Sequence, residues 1–158
     1  MVVTSPYSEC CCAYCGHVPE SNKVYGVHQS DPQRYCSEAC MAKDQKTHKL
    51  ETKAFQLLRE LGIEGGMDAC SLVLRIAALR SQEPQSSGAR QFPLLGRSNL
   101  FEHVMSLEAA TGSMEESSLE QILQVASAIA DIADDCDLPL SIDEANHLFL
   151  AIQCNAHC

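Results

Sequence analysis

Apolar residues recur at helical spacing through most of the chain beyond residue 37. The segment Ser37–Glu51 reads as a helix with Ser37 near its start. Thr52–Leu61 continues or follows it, with Phe55, Leu58 and Leu61 at i, i+3 and i+6, and Gly62, Gly65 and Gly66 end it. Asp68 can cap a helix that runs through Arg80 and carries Leu72, Leu74, Ile76 and Leu79. Residues 81–97 (SQEPQSSGARQFPLLGR) are a loop, marked by Pro84, Gly88, Pro93 and Gly96. Asn99 with Glu102 makes a capping-box pattern before Leu100–Ala110, and Thr111–Glu116 is a break. Ser117 with Glu120 is a second such pattern. It opens Leu119–Asp135, whose Leu119, Ile122, Leu123, Ala126, Ile129, Ala130 and Ala133 form a broad apolar stripe. After Leu138-Pro139-Leu140, Ser141 with Glu144 opens a last helix, Ile142–Gln153, bearing Leu148, Phe149 and Ile152. Only short stretches near Val2-Val3 and Lys23–Val27 read as strand, and no internal repeat is present. The fold class expected is mainly α.

Residues 9–51 break this pattern. They are rich in turn formers (Gly16, Pro19, Ser21, Asn22, Gly26, Asp31, Pro32) and poor in apolar side chains between their cysteines. The expected organisation is therefore a small N-terminal finger at 9–51 and an α-helical array at 52–158. Of the ten cysteines, six lie in the first forty residues: Cys10, Cys11, Cys12, Cys15, Cys36 and Cys40. The start of the chain shows neither a basic n-region nor an apolar h-region, so metal binding is favoured over a disulfide framework. Cys12-x2-Cys15 can aim two thiolates at one ion from a tight turn. Cys36-x3-Cys40 places two more on one helix face, a turn apart. Cys11 is the alternative to Cys12 as first ligand, and scattered buried thiols are the alternative to a metal site. Such a finger depends on its ion for folding.

Charge divides the chain as sharply. Residues 1–60 hold seven Lys/Arg and seven Asp/Glu, whereas 61–158 hold four and fourteen, so the whole net charge of −10 lies in the second part. A phosphate backbone is repelled there, which disfavours nucleic acid as a partner. Lys43, Lys46, Lys49 and Lys53 recur at near-helical spacing, either as a solvated helix face or as a docking surface for an acidic partner. The acidic run Asp131, Asp134, Asp135, Asp137 and Asp143 lacks the spacing of a calcium loop and reads as solvated surface. No apolar run reaches the roughly 18 residues of a membrane span. Phosphate-binding loops, nucleophile elbows and His-Glu-x-x-His are missing. Reduced thiols favour the cytoplasm or the nucleus as compartment.

Cys12-x2-Cys15, Tyr35-Cys36-Ser37-x2-Cys40 and His48-Lys49-x-Glu51 together resemble a MYND-type zinc finger, with Tyr35–Glu51 similar to its closing helix. Such fingers hold two interleaved zinc ions, and the resemblance assigns Cys12, Cys15, Cys36 and Cys40 to the first. For the second, the matching cysteine pair would fall near Val27 and Ser30, and the closing His-x3-Cys becomes His48-x3-Thr52. Only His48 matches a ligand there, with His17 or His28 as conceivable substitutes, so one zinc is expected. Cys70–Arg80, then Phe101-Glu102-x2-Met105-x-Leu107, then Leu148-Phe149-x2-Ile152-x-Cys154-Asn155-Ala156-His157 are similar, in that order, to the helices after the finger in protein-lysine methyltransferases whose SET domain is interrupted by a MYND finger. The resemblance matches Asn155 to a residue that contacts S-adenosylmethionine; a helix C-terminal cap is the other reading of it.

That family places a Gly-x-Gly segment before the finger, and an Asn-His-Ser-Cys motif and a catalytic tyrosine after the Asn-Ala-His segment. The chain contains none of them. The expectation is a zinc-binding, truncated relative without methyl transfer of its own and without a catalytic residue, S-adenosylmethionine serving only a full-length relative. The alternative is an adaptor whose finger binds a protein or peptide. A metal-dependent hydrolase would need an open zinc position, which four cysteines close.

Overall fold

Five helices account for most of the described residues in the computed structural model: α1 (Glu38–Glu60), α2 (Met67–Arg80), α3 (Leu100–Met105), α4 (Glu116–Asp135) and α5 (Ile142–Asn155). The structure describes residues 11–18, 25, 33–62, 67–82, 100–107, 109 and 115–155. Among these no strand forms; Tyr25 and Tyr35 make one isolated antiparallel bridge. The protein is mainly α, with a cysteine cluster near its N-terminus. The chain divides into two compact units, Met1–Ile76 and Ala77–Cys158, and the boundary falls inside α2. No helix among the described residues is long and apolar enough to cross a membrane.

In the first unit, α1 is one continuous helix of 23 residues. Ser37 is its N-cap, and the serine Oγ accepts from the amide of Cys40 at 3.2 Å. That bond satisfies one of the helix's orphan donors and fixes Cys40 in the first turn. At the other end Gly62 adopts φ 61°, and its amide donates to the Arg59 carbonyl at 3.2 Å. A residue just past a helix end reaches this left-handed conformation cheaply only when it lacks a Cβ. The buried face of α1 is Asp44, Thr47, Glu51, Ala54, Phe55 and Leu58. Its spacing is that of an ordinary core stripe, yet its first half is polar. Lys43, Lys46, Lys49 and Lys53 are exposed, as a solvated face would have them.

In the second unit, α4 and α3 each pack against α5. Helix α4 buries Ile122, Ala126, Ile129, Ile132 and Ala133, and α5 buries Ala145, Leu148, Phe149, Leu150 and Ala151. The alanines let two helix backbones approach closely, and their larger neighbours fill the remaining space. The expected α4 stripe needs one correction: Leu123 is 49% exposed, and Ile132 takes the buried place. The cause is rotation, because the buried arc runs through 122, 126, 129 and 133 and leaves 123 on its flank.

The Ser141–Glu144 capping box is present in full. The Ser141 amide donates to the Glu144 carboxylate at 2.9 Å, and the Glu144 amide donates to Ser141 Oγ at 3.3 Å. The Ser117–Glu120 box does not form, because α4 starts earlier, at Glu116, with Glu115 as an N-cap that makes no side-chain bond. Ser117 thus lies inside the first turn. Helix α3 stops at Met105 rather than Ala110, closed by a turn in which the Leu107 amide reaches the Val104 carbonyl at 3.0 Å. Asp68 lies within the first turn of α2. Asn99, the loop 83–97 and most of the break at 111–116 lie outside the described residues.

Candidate metal centre

The site assembles from two short pieces of backbone. In the first, the Gly16 amide donates to the Cys12 carbonyl at 2.9 Å and the Cys12 amide to the His17 carbonyl at 2.9 Å, with Gly16 at φ 72°. This tight knuckle points Cys12 and Cys15 the same way, and Gly16 makes it possible by entering a region that side chains disfavour. In the second piece, Tyr35 pairs with Tyr25 through two backbone bonds of 3.0 and 2.9 Å, and the chain then turns through Cys36 and Ser37 into α1. The Ala13 amide donates to the Arg34 carbonyl at 2.8 Å and ties the two pieces together. Cys12, Ala13 and Tyr35 form a small buried cluster, with Tyr14, Tyr25 and Met41 packed against it.

The result brings the thiols of Cys12, Cys15, Cys36 and Cys40 within 4.8 Å of one another. Cys15 Sγ lies 3.6 Å from Cys36 Sγ, which lies 3.6 Å from Cys40 Sγ. A tetrahedral zinc with bonds of about 2.3 Å sets its sulfurs about 3.8 Å apart. The observed separations match that edge and are far longer than a disulfide bond. Four thiols so placed can hold one zinc ion. Cys12 belongs to the cluster and Cys11 does not.

The thiols also behave as a set that a cation completes. Burial raises the Cys12 pKa, but amides of Cys15, Cys36 and Tyr14 directed at its sulfur more than offset this and hold it at about 7. Cys36 is pushed up to about 12 by the adjoining thiols of Cys40 and Cys15. For Cys15, the His17 amide lowers the pKa, but burial and the neighbouring thiols prevail and raise it. One thiolate forms readily, and further negative charge in the same small volume is resisted. A bound dication removes that resistance, with release of protons.

The other predicted positions do not join the cluster. His48 lies eight residues beyond Cys40 on α1, about 12 Å along the axis. Thr52, at the place of the motif's last cysteine, donates its hydroxyl to the His48 carbonyl at 2.6 Å, an intrahelical bond and no metal ligand. His17 is exposed and contributes its backbone to the knuckle. Val27, His28 and Ser30 lie outside the described residues. Asn155 is the last residue of α5, and its side chain also lies outside them.

Sequence reasoning missed the polar network beside the centre. Arg75, on α2, is 2% exposed. Its Nη1 donates to Glu51 Oε1 at 2.5 Å, and its Nη2 to Asp44 Oδ1 at 2.6 Å and to the Ala13 carbonyl at 2.9 Å. Gln33 Nε2 also donates to Glu51 Oε1. The Tyr35 hydroxyl stands 2.6 Å from Gln33 Oε1 and 2.9 Å from Asp44 Oδ2, and its single proton serves one of them at a time. One guanidinium thus joins the knuckle between Cys12 and Cys15 to both buried carboxylates of α1.

The shifts of the two partners disagree about their ion pair, because a different influence prevails at each. Arg75 is raised despite its burial because it faces two carboxylates, whereas Glu51 shares that cation with Asp44. Burial therefore prevails at Glu51 and pushes it up to about 7. Its second oxygen, Oε2, is buried and has no hydrogen-bond partner among the described residues. Burial and the Asp44 charge likewise raise Tyr35. The available signal was Asp44 and Glu51 seven residues apart in phase with Ala54, Phe55 and Leu58, together with an arginine in the middle of Val73-Leu74-Arg75-Ile76-Ala77.

No protein-family model and no curated protein matches the chain, so the likeness to MYND fingers and SET/MYND enzymes rests on the chain's own residues.

Proposed function

We propose that the protein is a zinc-binding relative of SET/MYND protein-lysine methyltransferases: a MYND-type finger with the helical region that follows it, and no methyl transfer of its own. The observation that carries this reading is the four-thiol cluster, two ligand pairs delivered by a knuckle and by the first turn of a helix, with spacings that suit one tetrahedral ion. Four thiolates fill the coordination shell, and a filled shell is structural: it leaves no position at which a substrate or water is activated. Within residues 1–158, Asn155 is the position the resemblance matches to a cofactor contact, and one asparagine cannot hold a methyl donor in line with a lysine amine.

The test has two parts. Elemental mass spectrometry of purified protein should give one zinc per chain, and titration with S-adenosylmethionine should give no binding heat. Two zincs would overturn the single-site reading, and a folded protein without zinc would overturn the finger. Tight cofactor binding would overturn the absence of methyl transfer. A second reading, an adaptor that binds a protein or peptide, draws support from the surface of α1.

A further inference from the structure

The neutral balance of the first sixty residues conceals a one-sided surface. Between Glu38 and Glu60, helix α1 has only two carboxylates, Asp44 and Glu51, and both are buried against Arg75. The cationic residues of the same stretch stay outside: Lys43, Lys46, Lys49 and Lys53 are all exposed. At about 100° per residue, Lys46, Lys49 and Lys53 fall within an arc of about 60°, facing away from the buried stripe, and the row from 43 to 53 is about 15 Å long. Leu50, 37% exposed, lies on the same side between Lys46 and Lys53. Lys43 sits over the Tyr14 ring at 5.8 Å, which anchors one end of the row.

A merely solvated face does not need this arrangement. Exposed helices gain stability when carboxylates alternate with lysines at i, i+3 and i+4, and lose it when like charges stack there. Here 43–46, 46–49 and 49–53 are all Lys–Lys pairs, and the two acids of the same stretch, Asp44 and Glu51, are buried. The helix tolerates a repulsive stripe around an apolar spot.

We propose that this face of α1 docks an acidic peptide segment carrying an apolar side chain. Its carboxylates meet Lys46 and Lys49, and its apolar residue packs on Leu50 and the lysine stems. A nucleic-acid backbone matches the lysines but leaves Leu50 unused, and the −10 of residues 61–158 opposes a long polyanion. A second copy of the chain brings the same net charge of −10 and is opposed likewise. The inference gives the adaptor reading its partner class. It rests on a folded first unit, not on kinship with methyltransferases.

The test uses the full zinc-loaded chain and a fluorescein-labelled dodecapeptide of glutamates around a central leucine, read by fluorescence anisotropy. Saturable binding is expected, weakened several-fold by raised salt and about tenfold or more by K46E/K49E. Leu50→Ser should weaken the peptide and leave an oligothymidylate of equal length unaffected. The proposal falls if the peptide does not saturate, if K46E/K49E binds it as well as the parent, or if oligothymidylate binds more tightly with the same lysine dependence. Zinc content and far-UV ellipticity of each sample separate a failure of the fold, which would strike the finger reading, from a failure of this surface.

Discussion

Arg75 and Arg80 lie five residues apart on α2, and they belong to different units. Arg75 is 2% exposed and holds two buried carboxylates and a backbone carbonyl. Arg80 lies across the Phe101 ring, 3.9 Å from its centroid, and its Nη1 donates to Glu144 and to the Pro139 carbonyl, each at 2.9 Å. The Arg80–Glu144 pair keeps side-chain exposures of 32% and 25%. One helix thus supplies the first unit with a charged centre and the second with a rim contact. The difference reflects what each unit has to bury. Near the thiols there is little apolar side chain, so ionic bonds, and a metal if the four thiols hold one, serve where the second unit uses isoleucine, leucine and alanine.

The comparison can be broken most decisively at the metal. Chelation of zinc, or Cys36→Ser, should unfold the first unit, because structural zinc contributes about 10–16 kcal/mol in finger peptides near neutral pH. Hydrogen exchange should show the Ala13 amide, bonded across the two pieces, and the amides of Tyr25 and Tyr35, bonded to each other, losing protection. The amides of α4 and α5 serve as the internal standard. Protection that survives metal removal would show that the Arg75 network alone suffices.

The arginines come next. Arg75→Met strands two buried carboxylates and should cost about 3–5 kcal/mol in urea unfolding, because removing one partner of a dry ion pair leaves uncompensated charge. Arg80→Met should cost about 1 kcal/mol, since its pair is partly solvated and its ring contact lies at a rim. Equal losses would erase the distinction between the units. A triple variant, Arg75→Met with Asp44→Leu and Glu51→Met, should recover much of the loss. That recovery would identify the penalty as one of unpaired charge and not of lost packing.

What could be read in advance follows the same divide. The cysteine pairs, the Ser37 start, the Ser141–Glu144 box and the Leu148–Phe149 face are local: each needs residues three or four apart, and each is where the spacing put it. The network around Arg75 was not legible, because its members come from 13, 33, 35, 44, 51 and 75. Charge alone marked Asp44 and Glu51 as surface; only their phase marked them as core. At Ser117 the local signal misled for the opposite reason: a serine with a glutamate three residues on is also compatible with a helix that has already begun. The early end of α3 is of this kind too, since a short helix is decided by what it packs on.

Acid and base should act on the first unit through Glu51. Its folded pKa, about 7, stands above the ordinary 4.5. The folded state therefore holds its proton more tightly between those values, and stability is fully present below about 4.5 and is lost as pH rises to 7. The full effect is about 3 kcal/mol. Gln33, Arg75, Asp44 and His48 face this group and set its value, with burial the largest influence. Zinc has the opposite slope, because its thiols must lose protons to bind it. The prediction is therefore read as the difference between the parent and Glu51→Gln, both zinc-loaded. The variant should gain on the parent from about pH 5 to pH 7 and hold that gain above it, and parallel curves would show that Glu51 is ionised throughout.

The smallest effect lies in the second unit, at the end of α4. Asp137 has φ 55°, its amide donates to the Asp134 carbonyl at 3.0 Å, and the Leu138 amide donates to the Ala133 carbonyl at 2.8 Å. That pair of bonds is the glycine-type helix stop, here made with an aspartate. Gly62 occupies the corresponding place after α1, where an added Cβ would meet no atom within 4 Å, so its cost is purely conformational. Gly62→Ala should therefore destabilise by about 1 kcal/mol, and Asp137→Gly should stabilise by about 0.5–1 kcal/mol. A second cause acts in the same direction at Asp137. The last turn of α4 has no basic residue, and Asp134, Asp135 and Asp137 place negative charge at the negative end of the helix dipole. Asp137→Asn separates the two causes, because asparagine removes the charge and keeps the Cβ that opposes the left-handed conformation. If Asn recovers about half of the gain from Gly, and loses its advantage at high salt while Gly keeps part of its own, backbone strain and charge both oppose this turn. An Asn variant equal to Gly at every salt concentration would reduce the effect to charge alone.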